Sequence, residues 1–182
     1  MLKKTLELYK FSLLLAVFVS IAILAFTVQK DPFQIAMVLL GALGGAFFLD
    51  LDYILHAYFL EPTSEFGKSV QGFIHYKDFK GLANYIYYHK NDLKEKTLNS
   101  AIFQLVLGGA SVLVVSSTAS NFAKALVISA FVNSMYRLAE QHFEYKNTVD
   151  WFWAFKKAPD KMGLVVYSSM LLAVLILSFF LI

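Results

Sequence analysis

Long uncharged apolar runs alternate along this chain with short polar or amphipathic stretches. Phe11–Val28 holds no charge in 18 residues. A second run, Gln34–Leu60, is uncharged as far as Leu49 and is then interrupted by Asp50 and Asp52. Leu98–Ser117 follows, then a shorter uncharged run, Ala125–Tyr136, between Lys124 and Arg137, and finally Met162–Ile182. About 20 apolar residues, rising about 1.5 Å each, cross the hydrocarbon core of a bilayer. The pattern therefore predicts an all-α membrane protein, a five-span transmembrane helical bundle with amphipathic cytoplasmic interfacial helices. The spans fall near 11–28, 34–60, 98–117, 122–139 and 162–182, in a single membrane domain. The fourth crosses only if Lys124 snorkels and its far end is sheltered by protein or water.

Between spans two and three, residues 61–97 interleave aromatics with Lys, Asp and His, from Phe73 to Tyr88. They read as one or two amphipathic helices at the membrane surface. In the 140–161 segment, Trp151 and Trp153 beside Lys156 and Lys157 read as an aromatic belt at headgroup depth. The outer connections, near Gln29–Phe33 and Thr118–Asn121, are short, so spans one and two form a hairpin, as do three and four. Gly41-x-x-x-Gly45 has the spacing of a close helix–helix contact.

Composition agrees. Apolar residues make up 58% and charged residues 16%, against about 45–50% and 25% in soluble domains, and the mean hydropathy is +0.60. A net charge of +3 is too small to suggest nucleic-acid binding. Its distribution says more. Lys3, Lys4 and Lys10 precede span one; six lysines lie in 61–97; Arg137 and four lysines lie in 137–161. Only Lys30 and Lys124 fall on the opposite side. The positive-inside rule then makes the N-terminus and both long loops cytoplasmic, as in a multi-pass protein of a bacterial inner membrane. The partners expected are membrane lipids, another copy of the chain or a larger membrane complex. With no cysteine in the chain, any metal must be held by carboxylate, imidazole, amide or carbonyl groups.

Intramembrane charge is costly and marks function or architecture. Asp50 lies about 24 Å along a span that begins near Gln34, taking 1.5 Å per residue. Asp52 and His56, four residues apart, share a helix face and could bind one metal ion. Asp50 joins them only if the helix is distorted there. Gln104 of span three and Asn133 of span four come out at the depth of Asp50, with Tyr136, Arg137 and Glu140 toward the cytoplasm. Two readings remain open: a polar pocket facing the cytoplasm, and a structural network in which Arg137 pairs with an aspartate.

The stretch Gly41-Ala-Leu-Gly-Gly-Ala-Phe-Phe-Leu-Asp-Leu-Asp-Tyr53 resembles the glycine-containing helix ending in Asp-x-Asp-His of bacterial membrane-bound metal-dependent hydrolases, a family related to zinc-dependent phospholipases C. Asp50 and Asp52 match that motif, and Glu140 sits where a later acidic residue would fall. The motif's histidines are replaced here by Tyr53 and Tyr136. The resemblance implies a divalent metal, zinc or similar, held by Asp50, Asp52 and His56. Glu140 would act as ligand or general base and Arg137 as stabiliser of phosphate charge, in hydrolysis of a lipid phosphoester. The alternative is a non-catalytic membrane protein: a degenerate relative, an accessory subunit or a lipid-binding partner.

Overall fold

The computed structural model describes residues 2–89, 96–144, 146, 148–155 and 158–182, with side chains from Tyr9 onward except that of Tyr87. Among these residues the chain is all helix, without strands. Helix α1 covers Leu2–Thr27 and α2 covers Pro32–Phe48. After a bend come α3 (Leu51–Leu55) and a π-helical turn, His56–Leu60. Two short helices, α4 (Glu65–His75) and α5 (Phe79–His89), fill the long loop. Helices α6 (Ala101–Ser116), α7 (Asn121–Phe143) and α8 (Lys161–Phe180) complete the fold.

Helix starts follow local chemistry. Asp31, Ser64, Ser100, Ser120 and Asp160 are N-caps whose side chains accept a backbone N–H of the first turn, satisfying donors that the helix cannot. Pro32 opens α2, where its missing N–H is no loss.

Two helices are long and apolar enough to cross a membrane, Tyr9–Thr27 and Lys161–Phe180, and a third crossing exists if Pro32–Phe48 and Leu51–Leu60, bent by 49°, act as one span. Of the five expected crossings, two or three are therefore supported by length and composition. Helix α6 is apolar, but its 16 residues reach only about 24 Å of the roughly 30 Å core. Its start is delayed because residues 97–101 hydrogen-bond elsewhere: Thr97 and Asn99 donate N–H groups to Asp52, and Ala101 donates to the Trp151 carbonyl. Helix α7 has 23 residues, enough length, but carries Lys124, Arg137 and Glu140.

Helix α7 is the centre of the bundle, packed against α1, α2, α6 and α8. Its closest neighbour is α2. A side chain at Gly41 would run into the Phe122 carbonyl, and one at Gly45 into the Leu126 carbonyl. The Gly41-x-x-x-Gly45 contact is thus built as its spacing predicts. Gly109 of α6, by contrast, has nothing within 4 Å of an added Cβ.

Three apolar clusters result. One joins α1, α2 and α7 through Val19, Ile23, Val38 and Ile128. Another gathers Leu49, Phe131, Trp151, Phe152 and Leu171. The third packs Tyr53 and Ala57 against Val70, Leu82 and Ile86 of α4 and α5. The loop expected to form one or two amphipathic helices forms two. The aromatic belt needs correction: Trp151 and Phe152 are core residues, 2% and 4% exposed, while Trp153 is 45% exposed. Lys90, Lys94, Lys156 and Lys157, all part of the charge pattern, lie outside the described residues.

Candidate functional site

The break between α2 and α3 falls at Leu49 and Asp50. There the backbone closes tighter, three-residue bonds: Asp50 N–H to the Phe47 carbonyl (3.0 Å), Asp52 to Leu49 (3.3 Å) and Tyr53 to Asp50 (3.2 Å). This bend sends the two aspartates to different partners.

Asp50 faces α7. Its Oδ1 accepts from Arg137 Nη2 at 2.7 Å, with the two side chains 20% and 14% exposed. Arg137 Nη1 donates to Asn99 Oδ1 at 2.9 Å. Asn99 Nδ2 donates onward to Asp52 Oδ2 (2.9 Å) and to the Leu49 carbonyl (3.1 Å). Asp52, 2% exposed, also takes the Thr97 N–H on Oδ1 and the Asn99 N–H on Oδ2, both at 3.0 Å. The result is a continuous chain, Asp50–Arg137–Asn99–Asp52, tying the bend to α7 and to the segment before α6. Bridging of this kind suits a guanidinium, whose donors are fixed in a planar fork.

His56 stands apart from the aspartates. It opens the π-helical turn, with its ring edge-on to Phe66 and Nε2 3.6 Å from Glu61 Oε2. Glu140 lies three residues beyond Arg137 on α7, half-buried. Tyr136 stacks on Phe11 with ring centroids 5.7 Å apart.

The residues expected to complete a shared pocket diverge. Gln104 Oε1 accepts from Trp151 Nε1 (3.2 Å) and from the Tyr167 hydroxyl (2.9 Å), so this side chain links α6 to α8. Asn133 Nδ2 donates to the Ser129 carbonyl at 2.9 Å, and Ser129 Oγ donates to the Ala42 carbonyl on α2 at 2.6 Å. The direction each side chain takes around its helix was not legible in the sequence. Asn99 precedes α6 at the level of Asp52, a signal that could have marked it. Tyr167, one and a half turns into α8, carried no such signal.

A divalent ion on Asp50, Asp52 and His56 does not fit this arrangement. Arg137 holds Asp50, and Asp52 is occupied by three N–H donors. Among the described residues, no group of three or more His, Asp or Glu side chains is placed to hold a metal ion.

The same bend borders a cavity of about 450 Å³. Leu13 of α1, Phe47 of α2, Ile54 of α3 and Leu82 and Ala83 of α5 form apolar walls, with Tyr9 and Asp50 also among the lining residues. No family model, curated protein or solved structure matches the chain.

Proposed function

We propose that this is a non-catalytic, multi-pass helical membrane protein, a lipid-binding or accessory partner, in which the intramembrane charges clamp the bundle. The observation that carries the reading is the Arg137–Asp50 contact at 2.7 Å, continued through Asn99 to Asp52. A guanidinium there meets the need of a buried carboxylate for a paired, hydrogen-bonded partner. The hydrolase implied by the resemblance would need both aspartates turned to one ion.

On this reading α6 and α7 cross the membrane in company. Enclosure of α7 by four helices supports its crossing despite its polar residues, since side chains facing a bundle interior escape the lipid penalty. The N-terminus and both long loops lie on the cytoplasmic side of a bacterial inner membrane, following the lysine and arginine distribution.

Metal analysis of the purified protein, alongside an Asp50→Asn/Asp52→Asn variant, tests the reading. We expect no stoichiometric divalent metal in either. Stoichiometric zinc or a similar ion in the parent, lost in the variant, would overturn the clamp and restore the hydrolase. Reporter fusions after Lys30 and Ile182 should both lie outside; a cytoplasmic signal at Ile182 would remove one crossing.

A further inference from the structure

The turn between α4 and α5 is unusual in its backbone and in what it exposes. Helix α4 closes on two bonds, Asp78 N–H to the Phe73 carbonyl (2.9 Å) and Lys77 N–H to the Ile74 carbonyl (3.1 Å). This is the Schellman closure, which usually places glycine in the left-handed position. Here Lys77 holds that position, with φ 55°, and its Cβ brings strain that glycine would avoid. Asp78 then accepts the Gly81 N–H on Oδ1 at 2.8 Å, so its charge faces the N-terminus of α5. Tyr76 and Phe79, on either side of these two residues, are 82% and 66% exposed. The turn is also held in place. Gln71 Nε2 of α4 donates to the Ala57 carbonyl in the π-helical turn at 2.6 Å. Phe79 borders the 450 Å³ cavity together with Phe47 and Leu51, exposed apolar residues on either side of the α2–α3 bend.

We propose that this turn docks on anionic phospholipid headgroups of the surrounding leaflet, with Lys77 against a phosphate and Tyr76 and Phe79 at the boundary between headgroups and acyl chains. Placement and charge select this occupant. On the multi-pass reading, Phe47 and Leu51 face lipid near the cytoplasmic end of a crossing. Phe79 lies beside them, so the turn meets the membrane at the level where that crossing ends. An aromatic ring with a polar tip and a lysine on a flexible stem both suit that level. Lys77 and Lys80 outnumber Asp78 in the turn, and the net positive charge complements an anionic surface. An ammonium, a compact charge with three donors, is a natural partner for a phosphate. The proposal rests on the multi-pass reading, because the turn reaches headgroups only if the α2–α3 pair crosses.

The test titrates the purified full chain in detergent with phosphatidylglycerol and with phosphatidylcholine, and follows bound lipid by native mass spectrometry. Lys77→Gly suits the left-handed backbone, so thermal stability should hold while phosphatidylglycerol retention falls about fivefold, the contribution of one lysine near an anionic surface. Phosphatidylcholine retention should not change. Lys77→Arg keeps the charge and should keep the phosphatidylglycerol. A fluorophore on Tyr76→Cys, the single thiol in a chain otherwise without cysteine, should be shielded from aqueous iodide in vesicles of the two lipids mixed. Three results would each overturn the proposal: unchanged phosphatidylglycerol retention in Lys77→Gly, an equal loss in Lys77→Arg, or a label open to iodide, as for a turn that faces water or a partner protein. Reporter fusions after Lys30 and Thr63, expected outside and inside, test the crossing independently of lipid retention.

Discussion

Helices α7 and α8 have similar lengths and opposite economies of polarity. Helix α8 buries Leu164, Leu171 and Ser178, one residue every seven, a seam on a single face. Much of its remaining surface, including Val165, Val166, Leu172 and Ile176, is exposed and apolar. Helix α7 buries Ala125, Ile128, Ser129, Ala130, Phe131, Asn133, Ser134 and Leu138, positions spread around much of its circumference. The helix deepest in the protein is thus the more polar one. In a bilayer, apolarity reports contact with lipid, and enclosure by other helices is what permits Ser, Asn and Arg. A hydropathy threshold therefore finds α8 and passes over α7.

Five substitutions would break or sharpen that contrast. The largest effect should come from Arg137→Ala, which strands Asp50 at the α2–α3 bend. We expect a loss of about 3–5 kcal/mol, typical of removing one partner of a buried ion pair, read as a steep fall in thermal stability in detergent. Arg137→Lys should recover only part of it, because an ammonium cannot hold Asp50 and Asn99 in the same fork. Asn99→Ala removes a donor from Asp52 and an acceptor from Arg137, and should cost about 1.5–3 kcal/mol. Gly45→Ala pushes a methyl against the α7 backbone, where Ala130 N would lie at 2.8 Å. Separating α2 from α7 should cost about 1–3 kcal/mol. The smallest change belongs to α8: Val166→Leu on the exposed face should stay within about 0.5 kcal/mol. A loss above 1.5 kcal/mol there would mean that this face is covered by protein.

The sequence made much of this legible. Uncharged runs located the helices, Gly41 and Gly45 their closest contact, and charge at one depth brought Asp50 and Arg137 together. The divergence of Gln104 and Asn133 was hidden because it depends on helix rotation, which the partners on neighbouring helices fix. Trp151 looked like an interfacial anchor because an indole suits both settings. Its burial follows from an N–H satisfied by Gln104, a contact between segments 47 residues apart. Nothing local in the sequence encodes that distance.

Asp50 and Arg137 are separated by 87 residues, and this interval has a meaning in time. At roughly 5–20 residues per second, the usual range for synthesis, Arg137 leaves the ribosome about 4–17 s after Asp50. Through that interval the α1–α2 hairpin carries a carboxylate without the guanidinium that pairs with it in the fold. On the proposed topology its place at the bend, close to the cytoplasmic end of the α2–α3 span, keeps it within reach of water until α7 arrives. The order of synthesis thus favours a charge near the membrane boundary, and would penalise the same pair moved to the bilayer midplane.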